Sequence, residues 1–117
     1  MAKYKISWSV EAEIDLTEIL DFYIQRNKTV SYSKKFYSKI KKEISAISKN
    51  PKLGIRTEFD TVRVLITGDY QIIYEIIEDN IVISMLWDCS RNPEDKKIGK
   101  RIKNKNKNLA HTTPTQK

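Results

Sequence analysis

Apolar side chains recur along this chain with two periods, and the change from one to the other divides it into parts. Residues Tyr4 to Trp8 alternate as a short strand does. From Ala12 the apolar positions Ala12, Leu16, Ile19, Leu20, Tyr23 and Ile24 recur at three and four, which places them on one face of a helix near residues 10 to 26. Ser9 is a helix-capping residue, Glu11 and Glu13 suit the positive end of the helix dipole, and Glu11, Asp15, Glu18 and Asp21 are expected to face water. A second helix near 31 to 49 is predicted by Phe36, Ile40, Ile44 and Ile47, with Thr29 or Ser31 as its cap and Asn50-Pro51 as its stop. Two amphipathic helices joined by so short a link pack as an antiparallel hairpin.

Pro51-Lys52-Leu53-Gly54 is turn chemistry, after which strand-like segments run near 62 to 66, 70 to 77 and 81 to 87. Thr67-Gly68-Asp69 and Asp79-Asn80 are short enough only for hairpins, so these three strands form an antiparallel meander. Residues Ile81 to Trp87 are apolar on both faces, which predicts an internal strand. The fold class is therefore α+β, in the order β-α-α-β-β-β, with a helical hairpin on an antiparallel sheet. Glu94 to Ile102 is expected to add a short helix. From Lys103 the chain has no apolar periodicity, which divides it into a domain of residues 1 to 102 and a disordered basic tail of residues 103 to 117.

A chain of 117 residues with 39% apolar side chains suffices for one core, and its 32% charged share marks a solvated surface. No stretch resembles a membrane span or a signal peptide, so the expected location is the cytoplasm. The single cysteine, Cys89, excludes an internal disulfide and a cysteine zinc cluster, and no metal or cofactor is expected. Its ordinary role is a small residue at the end of the sheet, since a thiol nucleophile needs a basic partner. His111, the only histidine, lies in the tail. The net charge of +7 is mostly the tail as well: residues 1 to 97 carry 16 Lys/Arg against 15 Asp/Glu, and residues 98 to 117 carry six against none. Within the domain, however, residues 28 to 49 hold seven lysines and one acid.

An ordered set of short motifs runs through these elements. Trp8-x-x-x-Ala12-x-x-Asp15-Leu16-x-x-Ile19-x-x-Phe22-Tyr23 opens it, followed by Asn50-Pro51-x-x-Gly54, Val62-Arg63 and Tyr70-Gln71-Ile72-Ile73-Tyr74. The strand Ile81 to Trp87 then leads into Asp88-Cys89-Ser90-Arg91-Asn92-Pro93. In spacing and order this set resembles the RelE/ParE superfamily of type II toxin–antitoxin toxins, over residues 4 to about 98. The resemblance implies growth arrest, neutralisation by a cognate antitoxin, and the plasmid stabilisation that such pairs confer.

Two targets follow from it. One branch, similar to RelE, cuts ribosome-bound mRNA without a metal: the ribose 2′-OH attacks the neighbouring phosphate, so cations must hold the extra phosphate charge and side chains must move two protons. Arg63 and Arg91 match basic residues of that branch and are the catalytic candidates under it. Gln71 stands where the branch has an arginine and Lys97 where it has a tyrosine, which leaves a reduced basic set. The other branch, similar to ParE, poisons DNA gyrase by binding and needs no catalytic residues, and the long helical hairpin resembles it more. The reading adopted is therefore a gyrase-binding toxin, with Arg63, Arg91, Lys96 and Lys97 as contacts to target or antitoxin. The ribosome-dependent mRNA endonuclease is the alternative, and a non-enzymatic nucleic-acid-binding module is another. Against all of these stand ordinary structural roles. Arg63 and Arg91 can pair with Asp60, Asp88 or Glu75 on the sheet surface, Tyr70, Tyr74, Trp8 and Trp87 can be packing, and Lys96 and Lys97 can keep the last helix soluble.

Overall fold

Ser9 starts the first helix as its residue type predicts: its hydroxyl accepts the backbone N–H of Ala12 at 3.0 Å. The computed structural model describes residues 4–91 and 96–104. Strand β1 (Lys5–Trp8) leads into α1 (Val10–Asn27), and α2 (Ser31–Lys49) returns antiparallel to it. A 3-10 turn (Pro51–Leu53) and a two-residue strand β2 (Ile55–Arg56) precede the meander β3 (Val62–Thr67), β4 (Tyr70–Ile77) and β5 (Asn80–Asp88). Helix α3 (Ile98–Asn104) follows. It starts later than the sequence pattern predicts and crosses the expected boundary at 102. The rest of the predicted tail lies outside the described residues. No described helix is long and apolar enough to cross a membrane.

Helix α2 departs from its predicted cap. Val30 occupies the N-cap without a side-chain hydrogen bond, and Thr29 instead accepts the backbone N–H of Ser31 at 3.2 Å. Serines fasten α2 at both ends: Ser33 donates to the carbonyl of Leu20 on α1 at 2.7 Å, and Ser48 donates to that of Tyr4, just ahead of β1, at 2.7 Å.

The sheet runs β1-β5-β4-β3-β2, so β5 is internal as its two apolar faces predict. The expectation of a wholly antiparallel sheet needs correction. β1 pairs parallel with β5, Lys5 opposite Asn80 through Trp8 opposite Ile83, whereas β2 to β5 are antiparallel neighbours. Parallel neighbours require a long crossover, and the whole helical hairpin supplies it. A two-residue loop cannot join such strands, so period-two alternation alone carries no information about this pairing.

A β-bulge sits in β5. Tyr74 faces Ile83 while Ile73 faces Met85, which leaves Ser84 as an extra residue. Its consequence is a change of face. Ile81 and Ile83 join Tyr70, Ile72, Tyr74 and the helical hairpin in the main core, whereas Met85 and Trp87 join Val62 and Ile73 in a second core on the far face. Phe59, Ile98 and Ile102 cover that second core. The bulge also turns the carbonyl of Ser84 and the N–H of Leu86 outward beyond the end of β1, where Asp15 and Arg101 meet them.

Candidate functional site

The residues singled out from the sequence separate into two places. Arg63 lies on β3 opposite Tyr74, on the side of the sheet that faces the helices. Its guanidinium donates to the carbonyl of Gly54 at 2.7 Å and more weakly to that of Lys52 at 3.4 Å. It pairs with none of Asp60, Asp88 or Glu75: Thr61 donates to the Glu75 carboxylate, and Arg63 is taken up by backbone. The Tyr74 hydroxyl completes the same knot. It donates to the carbonyl of Pro51 at 2.6 Å and accepts the N–H of Gly54 at 2.9 Å. Asn50-Pro51-x-x-Gly54, Arg63 and Tyr74 are thus one structural unit that ties the end of α2 to the sheet. Burial raises the Tyr74 phenol above its usual range, with the Gly54 N–H and the Arg63 charge opposing.

Arg91 belongs to the other end of the sheet. Beyond β5 the Asp88 carboxylate accepts both the N–H and the hydroxyl of Ser90, at 2.9 and 2.8 Å. The Arg91 N–H returns to the carbonyl of Asp88 at 3.0 Å. This tight turn folds Arg91 back, so that its guanidinium lies 4.7 Å from the ring centroid of Trp87. Trp87 is only 5% exposed, so the predicted packing role holds, and the same ring also supports a surface cation. Tyr70 and Tyr74 are core residues as well, and Trp8 packs against that core half-buried.

Gln71 lies opposite Trp87 on the far face, and its side-chain oxygen accepts a hydrogen bond from the Lys96 ammonium. Burial lowers the Lys96 pKa below its usual range, while Cys89 opposes that shift. Lys96 is half-buried, lies ahead of α3 and is tied to β4 by this bond. Cys89 itself is exposed, and its N–H bonds the carbonyl of Asp69 at 2.8 Å. Lys97 and Arg91 line one cleft together with Trp87, Glu11, Asp15 and Arg101. A second cleft, of about 140 Å³, opens on the α1 side of Arg91 between Asp15, Glu18, Phe22, Tyr70 and Asp88.

Arg91, Lys96 and Lys97 therefore share one patch, and Arg63 does not. Arg63 and Asp88 are registered to β4 residues four apart, roughly 13 Å along the strand, and Arg91 lies farther on, over the opposite face. The two arginines do not converge on one phosphate.

Two residues that line the cleft beside Arg91 escaped the sequence pattern. Arg101 on α3 bonds Asp15 at 2.9 Å, Glu11 at 3.1 Å and the carbonyl of Ser84 at 2.8 Å. Asp15, expected to face water, also accepts the N–H of Leu86 at 3.0 Å. A signal was present in Arg101: it is the one arginine among the lysines of residues 96 to 107, and a fork of fixed donors marks a multiply bonded site more than a solvated one.

A family model described as the ParE toxin of the type II toxin–antitoxin system parDE matches residues 6–93. The chain belongs to the ParE toxin family. Among curated proteins none is similar enough in sequence to match. Solved structures are similar in fold. The chromosomal ParDE toxin–antitoxin system of P. aeruginosa aligns with a TM-score of 0.62 at 19% identity, covering 74% of this chain and 96% of that one. The toxin–antitoxin complex RelBE2 of Mycobacterium tuberculosis aligns at 0.54 and 16%, covering 74% and 99%. The span of the ParE family match includes the knot at Gly54, the bulge at Ser84 and the turn that carries Arg91.

Proposed function

We propose that this chain is a cytoplasmic growth-arresting toxin that binds and poisons DNA gyrase, and that a cognate antitoxin neutralises it. Membership of the ParE toxin family supports the reading. The observation that carries it is the separation of the two arginines: Arg63 is committed to the carbonyls of Gly54 and Lys52, while Arg91 stacks on Trp87 at the other end. A phosphate clamp for RNA cleavage needs its cations fixed around one oxyanion, and a binding poison has no such requirement. The contact surface assigned to target or antitoxin is the patch of Arg91, Lys96 and Lys97 with the cleft below it.

One observation favours the ribosomal nuclease instead. Lys96 brings an ammonium to Gln71, the position at which that branch carries an arginine. The test is direct: purified protein is assayed for inhibition of gyrase supercoiling or trapping of cleaved DNA, and in parallel for cleavage of ribosome-bound mRNA. Gyrase inhibition with intact mRNA is expected. Cleavage of A-site mRNA that disappears in Arg91→Ala and Lys96→Ala would overturn the reading.

A further inference from the structure

Helix α2 divides sharply by side. Phe36, Ile40, Ile44 and Ile47 are buried against the sheet, while Lys34, Lys35, Lys39, Lys41, Lys42 and Lys49 are all exposed. Lys35, Lys42 and Lys49 recur every seven residues, so they lie nearly in line, about 10 Å apart over about 21 Å of helix. The only acid in the helix, Glu43, is half-buried and accepts from Thr67.

Helix stability does not account for this arrangement. Lys49 in the last turn suits the dipole, but Lys34 and Lys35 stand near its positive end, in a helix with no acid in its first turn. Lys35 and Lys39, four apart, repel on the same side. Nor does overall charge account for it, because residues 1 to 97 are almost balanced and the acids Glu18 and Asp21 lie on α1. A single-sign face held against local electrostatics steers a polyanion.

We propose that the outer face of α2 is a docking surface for the phosphate backbone of duplex DNA. The choice of DNA rests on the gyrase reading, since a toxin acting at gyrase meets duplex DNA held by its target. The choice of duplex over single strand rests on the aromatic residues beside the lysines. Tyr32 already packs on Tyr23 with ring centroids 4.4 Å apart, and the Lys41 ammonium lies 5.4 Å from the Tyr37 centroid. Each of these exposed tyrosines already has a partner on its ring, so neither is a free platform for unstacked bases. The exposed acids Glu18 and Asp21 on α1 disfavour the phosphate backbone there and leave it to α2.

The full chain is titrated into a labelled DNA duplex of arbitrary sequence by fluorescence anisotropy over a range of salt. The triple variant Lys35→Gln/Lys42→Gln/Lys49→Gln is expected to lose at least ~10-fold in affinity and to flatten the salt slope by about 2 to 3, near 0.9 per phosphate contact. Its Tm is expected to stay equal or rise, because like charges have been removed. A variant with Lys105, Lys107 and Lys117 changed to Gln separates the tail: it weakens binding but leaves the effect of the α2 changes intact. Unchanged affinity and slope in the α2 variant would overturn the proposal, as would tighter binding of single-stranded DNA or of an RNA duplex of equal length. Gyrase inhibition is scored separately, so DNA binding without it removes the target and leaves the surface standing, and inhibition without DNA binding does the reverse.

Discussion

The guanidinium of Arg101 and the carboxylate of Asp15 lie 2.9 Å apart although 86 residues separate them in sequence. Together they close the edge that β5 exposes past the end of β1: Asp15 accepts the N–H of Leu86, and Arg101 donates to the carbonyl of Ser84. An open edge is a site for pairing with another chain, and covering it is one way proteins suppress that. The same bonds hold α3 over the second core.

Arg101→Ala is therefore expected to cost about 2 kcal/mol, because it strands a part-buried carboxylate and a carbonyl. The outer pair with Glu11, at a side-chain exposure of 38%, contributes little of this. Urea denaturation gives the stability, and amide exchange at Leu86 and in α3 gives the location. Equal exchange in wild type and variant would show that the clamp does not hold the helix.

Local signals were legible from the sequence, and contacts at a distance were not. The Ser9 cap, the α2 core positions Phe36 to Ile47 and the apolar β5 depend on a few neighbouring residues, so their pattern is written within one segment. β2 is two exposed residues, too short to show a period. The parallel pairing of β1, the bulge at Ser84 and the bond from Asp15 to Leu86 depend on the path of the chain around the hairpin. In the candidate site, Arg91 stands out in the sequence only through its motif, whereas its stacking on Trp87 depends on a bulge that alternation cannot reveal. Arg63 was marked by the same family pattern, and what it binds is backbone.

The knot at Gly54 makes a packing prediction. A Cβ there would lie 2.7 Å from the Tyr74 hydroxyl and 2.9 Å from the carbonyl of Val64. Gly54→Ala should cost ~2 to 4 kcal/mol, from overpacking and the strained hydrogen bonds. Combined with Tyr74→Phe, which removes the nearer obstacle, the loss should be smaller than the sum of the two single losses. Strict additivity in thermal or urea unfolding would refute the contact.

Alkaline pH should destabilise the fold through Tyr70. Burial, reinforced by its 2.6 Å hydrogen bond with Tyr23, raises this phenol far above the ordinary value of 10.0. Between the unfolded and folded values the native state binds the proton more tightly, so stability falls as pH rises above about 10. Tyr74 acts in the same direction. Lys96, whose pKa is lowered by burial, acts in the opposite one: stability is gained as pH rises toward its unfolded value. Circular dichroism against pH should show a net loss that begins near the ordinary tyrosine range. It should be shallower in Tyr70→Phe, and an unchanged profile in that variant would assign the loss elsewhere.

The two arginines should fail in different ways, which tests their assignment to different parts of the molecule. Arg63 donates to carbonyls inside the fold. Arg63→Ala should lower stability by about 1 to 3 kcal/mol, and on the proposed gyrase reading the fraction that remains folded should inhibit as well as the wild type. Arg91 is exposed, and its stacking on Trp87 is worth ~0.5 to 1 kcal/mol to the fold at such a site. Arg91→Ala should thus leave the Tm nearly unchanged. As the proposed charge-assisted contact to the target it would contribute ~1.5 to 3 kcal/mol, so the concentration for half-inhibition should rise on the order of 10- to 100-fold. Lysine at position 91 should restore only part of this, since an ammonium supplies the charge without the planar stack. The measurements are a melting curve and a supercoiling titration for each variant. If Arg63→Ala loses inhibition at full stability, or Arg91→Ala keeps it, the division between a structural arginine and a contact arginine is wrong.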